Sequence, residues 1–257
     1  MCDLNFAESI RETARWTAES EIVESNDLLL VAGPDNSAAT NFTIRLHRSS
    51  FPDARTMLDT CASFYSEREH DYSLYVRRHA DADLEEALKS AQLMRIFDLP
   101  VMIIDRPLKP PQLPDQAKLL TVTDIQGASD FVSILMDSYR DLGMSEDSGF
   151  STYKTPERIL QPHCYYSIAY YNDQPASGAM LLYSHAIAGI YWVGTTKEAR
   201  GRGLAAACVS AVVNEAMNRG ISHVVLQASK FGEPVYRRLG FSEITRYLQY
   251  MHFRQKR

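Results

Sequence analysis

The sequence contains few residues that could cross-link the chain or bind a metal. It has four cysteines, Cys2, Cys61, Cys164 and Cys208, and none of them belongs to a Cys-x-x-Cys pair. Metal-ligand spacing between these cysteines and the seven histidines is also absent. We interpret the neighbouring pair His163 and Cys164 as structural and predict neither a disulfide framework nor a metal site.

Long apolar runs are absent as well. No stretch reaches the roughly 18 apolar residues of a membrane-spanning helix. The first residues, MCDLNFAESIRE, are polar and do not resemble a signal peptide. We therefore expect a soluble, cytoplasmic protein with reduced thiols and no membrane partner.

Positive charge is not in excess. The chain has 27 Lys and Arg against 32 Asp and Glu, a formal net charge of −5, which argues against a nucleic-acid partner. Residues 1–117 hold 12 basic and 20 acidic residues, whereas residues 118–257 hold 15 basic and 12 acidic residues. This asymmetry favours two domains with separate roles and places an anion site in the less acidic half.

A proline-rich stretch predicts the domain boundary. Residues 106–117, RPLKPPQLPDQA, contain four prolines in twelve residues, which is typical of an extended linker. We predict an N-terminal α/β domain over residues 1–105 and a second domain over residues 118–257. The two share a similar order of predicted elements, which weakly suggests a duplicated fold.

Hydrophobic periodicity predicts the helices and strands. In the first part, helices are predicted over residues 6–23, 52–68 and 81–97, and strands over 27–33, 41–47, 72–78 and 100–105. In the second part, helices are predicted over 124–143, 155–160, 204–217 and 233–240, and strands over 118–123, 165–171, 176–184, 187–195, 222–229 and 245–253. The expected fold class is α/β, a three-layer mixed sheet with flanking helices and one crossover around the helix 204–217. The aromatic segment 245–253 could be a sheet strand, a homodimer interface or both.

The stretch KEARGRGLAAACVSAV, which begins at Lys197, places two glycines directly before the alanine-rich helix. At a helix N-terminus the backbone N–H groups are unpaired and the macrodipole is positive. Gly201 and Gly203 let a ligand approach that backbone, and Arg200 and Arg202 add positive charge. The pattern is typical of a phosphate or pyrophosphate site, although an ordinary turn with solvated arginines would look the same.

Two nucleotide-binding motifs are excluded here. Gly201, Gly203 and Ala206 fit the dinucleotide-binding spacing, but the preceding residues GTTKEAR do not form a strand. The run ISHVVLQAS supplies no acidic residue to hold a ribose. No Gly-Lys-Ser/Thr follows the glycines, so a Walker P-loop is excluded too.

Several segments together resemble the GNAT superfamily of acetyl-CoA-dependent N-acetyltransferases. They are Val193-x-Thr195, the run Arg200–Ala205, LQAS and PVYRRLGF. The run RGRGLA matches the family's Arg/Gln-x-x-Gly-x-Gly/Ala signature in full, and Tyr236 begins the family's Tyr-x-x-Leu-Gly-Phe ending. The resemblance covers about residues 118–253.

The resemblance implies a fold and a reaction for the second domain and a duplicated origin for the first. It implies a GNAT-like three-layer sheet that transfers an acetyl group from acetyl-CoA to a primary amine on a small molecule or peptide. Residues 1–105 resemble a degenerate copy of the same fold, as in tandem members such as mycothiol synthase. They contain no copy of the signature, which implies a lost cofactor site.

The resemblance also implies roles for individual residues. Tyr236 would act as the general acid that protonates the departing thiolate. Ser229 would bind pantetheine with its hydroxyl, or else cap the helix that follows it. The other implied cofactor-binding residues are Val193 and Thr195, beside pantetheine and the thioester, and Arg200, Gly201, Arg202, Gly203, Leu204 and Ala205, around the CoA pyrophosphate.

No general base is assigned. The strands IAGIYWVGT and SHVVLQAS contain no carboxylate. His185 is a candidate base, but a lone histidine near a hairpin is more often a surface residue. Glu146 and Asp147 could attract a cationic amine or form a solvated acidic loop. Neither Cys164 nor Cys208 has an activating neighbour, so direct transfer in a ternary complex is preferred. A non-catalytic acyl-CoA sensor is the alternative function.

Overall fold

The computed structural model describes residues 1–25, 27–38, 40–47, 53–91, 93–140 and 155–254. Within these ranges, eleven strands form a single mixed sheet, and helices pack on both of its faces. The predicted three-layer α/β architecture is therefore confirmed. None of the described helices combines the length and the apolar character needed to cross a bilayer.

The elements are numbered in chain order. The α-helices are α1 (Cys2–Arg15), α2 (Ala54–Ser66), α3 (Ala82–Ser90), α4 (Ile125–Arg140), α5 (Leu204–Asn218) and α6 (Glu233–Leu239). The strands are β1 (Glu21–Ser25), β2 (Leu28–Ala32), β3 (Phe42–Arg45), β4 (Tyr72–Arg77), β5 (Met94–Ile104), β6 (Ala117–Thr121), β7 (Cys164–Tyr171), β8 (Gln174–Ser184), β9 (Ile187–Thr195), β10 (Val224–Gln227) and β11 (Ser242–His252). Two short 3₁₀ helices cover Pro156–Ile159 and Lys197–Ala199.

One order of elements occurs twice along the chain. An antiparallel meander β1–β2–β3 is followed by α2, then β4 parallel to β3, then α3 and β5. The meander β7–β8–β9 is likewise followed by α5, then β10 parallel to β9, then α6 and β11. The repeat is one of topology, since no sequence period supports it.

The last strands of the two repeats lie side by side in the middle of the sheet. The strand order is β1-β2-β3-β4-β11-β5-β10-β9-β8-β7-β6. Strand β11 pairs antiparallel with β4 and with β5, and β5 also pairs antiparallel with β10. Each repeat therefore continues its sheet with a strand that the other repeat supplies. The aromatic C-terminal segment is an interior strand with both edges paired.

Two predicted helices are too long. The helix expected over residues 6–23 ends at Arg15, and Glu21–Ser25 forms β1, whose apolar residues extended the helical pattern. The helix expected over residues 81–97 ends at Ser90, and its last residues begin β5. In both places strand pairing overrides the local periodicity, and for β5 the partner β11 is remote in sequence.

Helix α1 belongs to the first repeat but also packs on strands of the second. The side-chain amide of Asn5 donates a hydrogen bond to Ser184 Oγ at 2.7 Å and another to Leu182 O at 3.3 Å. Tyr191 of β9 donates its hydroxyl proton to Asn5 Oδ1 at 2.7 Å. Because α5 packs on the opposite face, the second repeat is covered by α5 on one side and by α1 and α4 on the other.

The start of the proline-rich segment is fixed to the second repeat by a pair of hydrogen bonds. The backbone N–H of Leu108 donates to Asn214 Oδ1 at 2.7 Å, and Asn214 Nδ2 donates to Leu108 O at 2.9 Å. The Leu108 side chain is buried in the cluster that also contains residues of α5. This contact anchors the start of the segment against α5.

Candidate active site

The site begins where β9 and β10 separate. The two strands pair in parallel only from Ala188–Val224 to Ile190–Leu226. Strand β9 then continues to Thr195 while its other edge stays paired with β8. Trp192 has a φ of 51°, and the β8–β9 register shifts between Gly178 and Met180, which marks a bulge. Among the described residues, the end of β9 has no strand partner on the side of β10, so its backbone is open to a ligand.

The loop before α5 supplies a second set of backbone groups. Gly201 and Gly203 both have a φ of 77°, the left-handed conformation that favours glycine. A Cβ atom at either position would meet no atom within 4 Å. The N–H groups at the start of α5 therefore border open space, where the helix dipole favours an anion.

These two features line one cavity of about 580 Å³. The cavity lies between the end of β9, the loop before α5, helix α6 and the C-terminal end of α4. The cavity is lined by all ten residues to which the resemblance assigns a cofactor-binding or catalytic role, namely Val193, Thr195, Arg200, Gly201, Arg202, Gly203, Leu204, Ala205, Ser229 and Tyr236. Their individual roles remain predictions.

The charged side chains are all basic among the described residues that line the cavity. Of the described residues that line it, Arg200, Arg202 and Arg238 are arginines and none is acidic. The Arg200 Nε atom donates to Thr195 O at 3.3 Å, and the Arg202 guanidinium lies 4.6 Å from the centroid of the Tyr171 ring. Arginines held at the rim in this way favour a phosphorylated ligand.

Tyr236 is the buried hydroxyl of the cavity. Its side chain is 7% exposed, and its ring packs edge-on against Phe241 with the centroids 5.9 Å apart. Gly232 lies so close that a Cβ atom there would come within 2.7 Å of the Tyr236 ring. Burial raises the pKa of Tyr236 well above its usual value. The phenol is therefore protonated at neutral pH and carries a proton that it could donate.

Ser229 lies between β10 and α6 with its hydroxyl engaged on one side. Its Oγ accepts a hydrogen bond from the Gly232 N–H at 3.1 Å, and its carbonyl accepts one from the Glu233 N–H at 2.9 Å. The bond to Oγ is the contact that the helix-capping alternative predicts for the Ser229 hydroxyl, although Gly232 is the residue that directly precedes α6. The bond uses Oγ as an acceptor, so the hydroxyl proton is available to a ligand in the cavity.

The sequence did not predict the part of the cavity that α4 forms. Ser138 and Tyr139, at the end of α4, line it together with Val193 and Gly194. The Tyr139 hydroxyl donates to Val193 O at 3.5 Å. Neither residue belongs to a motif, and only the packing of α4 against β9 brings them to the site.

The other candidate catalytic residues lie elsewhere. His185 is exposed in the β8–β9 turn, at the opposite end of the hairpin from Thr195. Cys208 lies on the buried face of α5, and burial raises the pKa of its thiol to about 12. Burial also raises the pKa of Cys164. Both thiols therefore stay protonated at neutral pH. Glu146 and Asp147 lie outside the described residues.

A cluster of possible metal ligands lies at the contact between α1 and β7, away from the cavity. The ligand atoms of Glu12, His163 and Cys164 lie within 4.8 Å of one another. The buried Glu12 carboxylate already accepts from Trp16 Nε1 at 3.2 Å and contacts His163 Nε2 at 2.8 Å. These bonds satisfy the carboxylate without an ion, and they join the two repeats.

The corresponding place in the first repeat is filled by an ion pair. Arg77, at the end of β4, donates to both carboxylate oxygens of Asp81, at 2.8 and 2.9 Å, and to Leu46 O at 3.2 Å. Its side chain thus bridges the gap between the end of β4 and the residue that follows β3. Arg77 is 2% exposed and Asp81 is fully buried.

Residues 137–254 match the family model of the acetyltransferase (GNAT) domain. No curated protein matches the chain by sequence.

Solved structures with the same fold cover nearly the whole chain. A GCN5-related N-acetyltransferase from Kribbella flavida superposes with a TM-score of 0.72 at 15% identity, covering 95% of this chain and 94% of that one. One from Sphaerobacter thermophilus gives 0.63 at 17% identity, covering 88% and 80%. A tandem GNAT protein from the clavulanic acid biosynthesis pathway gives 0.62 at 13% identity, covering 97% and 95%. At these identities the likeness shows the fold alone.

Proposed function

We propose that the protein transfers an acetyl group from acetyl-CoA to a primary amine, on the premise that residues 137–254, which match the acetyltransferase (GNAT) domain model, form a domain of that family. The observation that carries the proposal is the single cavity that joins the glycine loop, the open end of β9 and Tyr236. The cavity thus combines an anion site, a backbone edge and a proton donor.

Different residues around the cavity would bind acetyl-CoA and transfer the proton. The N–H groups of residues 201–205 would hold the pyrophosphate of acetyl-CoA, and the end of β9 would pair with its pantetheine arm. The amine nitrogen forms a bond to the thioester carbon, and the carbon–sulfur bond then breaks. Tyr236 donates its phenolic proton to the departing sulfur, the amine releases its proton to solvent, and Tyr236 regains a proton from solvent before the next turnover. Because Cys164 and Cys208 are held as thiols, we propose direct attack in a ternary complex.

The acceptor must reach the site as a neutral amine. A lysine-like amine has a pKa about 3 units above neutral, so its deprotonation costs roughly 4 kcal/mol. An amine of lower pKa would avoid this cost. We propose a small-molecule or peptide amine as acceptor, and the acidic first repeat favours a cationic one. The four free cysteines fit a reducing cytoplasm as the place of action.

One observation favours a second candidate, an acyl-CoA sensor without turnover. No acidic side chain is present among the described residues that line the cavity, so a carboxylate base is missing from that set. A sensor needs the glycine loop but neither a base nor Tyr236. Release of CoA in the presence of an amine therefore distinguishes the two functions.

Binding is the first test. Unfolding would be followed with acetyl-CoA, free CoA and NAD, each at about 100 times a micromolar Kd, where a ligand stabilises by about 2.7 kcal/mol. At roughly 2–4 °C per kcal/mol for a chain of this size, both CoA species should raise the Tm by several degrees. NAD should leave the Tm unchanged. The absence of any shift with either CoA species would refute both functions.

Turnover is the second test, with Tyr236→Phe as the diagnostic variant. Removing a positioned general acid lowers the rate by about 10²–10⁴-fold. We expect that loss in CoA release across a panel of aminoglycosides, polyamines, amino acids and peptides, with unchanged acetyl-CoA affinity. Tyr183→Phe, which alters a tyrosine outside the cavity, is the matched control. Equal turnover in wild type and Tyr236→Phe would remove the acid role.

A further inference from the structure

We propose that Tyr139 limits the acyl group that this protein accepts to the size of acetyl. The proposal rests on the proposed function, because it assumes that the cavity holds an acyl-CoA. Tyr139 lines the same cavity as Tyr236, and its hydroxyl contacts the carbonyl of Val193, in the β9 segment proposed to face the thioester. Its side chain therefore lies next to the place that the acyl group would take.

Helix α4 and strand β9 are closely packed where they form the wall of the cavity beside Tyr139. Gly194 is so close to Ser138 that a single added methyl group there would overlap the Ser138 hydroxyl. Ser138 is buried at this contact. Because α4 and β9 are in contact on this side, we expect an acyl chain longer than acetyl that extends toward α4 to meet the Tyr139 ring.

Tyr139 is held in place by a row of aromatic side chains. Its ring centroid lies 5.4 Å from that of Trp192, in the β9 bulge. Trp192 donates its Nε1 proton to Thr13 Oγ1 at 3.1 Å and packs 5.9 Å from Trp16. Thr13 belongs to α1, and Trp16 is the residue directly after that helix. Residues of the first repeat therefore support the wall of a cavity that lies in the second repeat. Displacing Tyr139 would disturb this contact between the repeats.

The size of the expected discrimination follows from packing. One additional methylene in a pocket that does not fit it costs about 10–200-fold in affinity or in kcat/KM. We therefore expect propionyl-CoA to bind at least 10-fold more weakly than acetyl-CoA, and butyryl-CoA more weakly still. Free CoA has no acyl group and should be indifferent to the side chain at residue 139.

Calorimetric titration of the full chain with CoA, acetyl-CoA, propionyl-CoA and butyryl-CoA tests the proposal without requiring turnover. Tyr139→Ala and Tyr139→Leu should both bring the propionyl-CoA to acetyl-CoA Kd ratio close to 1. Tyr139→Phe keeps the ring and should keep the wild-type ratio. Tyr183→Ala removes a tyrosine outside the cavity and should also keep it. Unchanged affinity for free CoA shows that a variant retains its fold. If Tyr139→Ala does not fold, Tyr139→Leu provides the same test.

The outcomes separate this proposal from the proposed function. If wild type binds butyryl-CoA as tightly as acetyl-CoA, or if Tyr139→Ala and Tyr139→Leu leave the ratios unchanged, Tyr139 does not set acyl size. If the ratios shift as expected but no amine releases CoA, the size limit stands and the transferase function fails. If no CoA species binds to wild type, both proposals fail.

Discussion

Replacing Gly203 by alanine would separate two roles of a glycine, backbone conformation and ligand approach. Gly203 has a φ of 77° at the cavity, and Gly220 has a φ of 79° just after α5, outside the cavity. An added Cβ meets no atom within 4 Å at either position. The left-handed conformation costs an alanine about 1–2 kcal/mol. At roughly 2–4 °C per kcal/mol, both Gly203→Ala and Gly220→Ala should lower the Tm by about 2–8 °C.

Only the variant at the cavity should lose CoA affinity. The added Cβ at residue 203 lies where the pyrophosphate is proposed to contact the backbone. Losing one hydrogen bond to a charged group costs about 1.5–3 kcal/mol, or roughly 10–150-fold in Kd. Calorimetric titration with free CoA at 25 °C, where both variants are folded, measures this loss. Wild-type affinity in Gly203→Ala, or an equal loss in Gly220→Ala, would refute the assignment of the loop.

Three further outcomes are expected. Arg77→Ala breaks the buried pair with Asp81 and should lower the free energy of unfolding in urea by about 3–5 kcal/mol. Arg237 is exposed, so Arg237→Ala should lower it by less than about 1 kcal/mol. Equal losses in the two variants would contradict the conclusion that the Arg77–Asp81 pair fills the gap between β3 and β4. Cys208→Ala should keep its transfer rate, because a thiol with a pKa of about 12 remains protonated below that pH; an acetyl group found on Cys208 by mass spectrometry would contradict direct transfer. Deleting residues 242–257 removes β11 and exposes the edges of β4 and β5, so the truncated protein should lose cooperative unfolding. A truncated protein that still unfolds cooperatively would contradict the strand order.

Local signals predicted the second repeat well. The glycines before α5, the alanine-rich run and the Tyr-x-x-Leu-Gly-Phe ending are short-range features, and each lies on the element expected for it. Type and position of these elements follow from neighbours within a few residues. The cavity residues drawn from these motifs are therefore brought together by the fold.

Features that depend on remote contacts could not be predicted in this way. Tyr139 reaches the cavity only because α4 packs on β9, and nothing in the segment SYRD marks it. Met94 to Phe97 have helical spacing but form a strand because β11 pairs with them. Glu12 and His163 are far apart in the chain, and their contact depends on α1 lying across the second repeat. Periodicity carries no information about such partners.

The exchange of β5 and β11 has a consequence for how the chain folds during synthesis. Strands β4 and β5 leave the ribosome long before β11, which fills the place between them. Until β11 emerges, the first repeat has an unfilled gap in its sheet, and strand edges left open in this way favour aggregation. The sheet of the first repeat therefore stays incomplete until the last strand of the chain has been made.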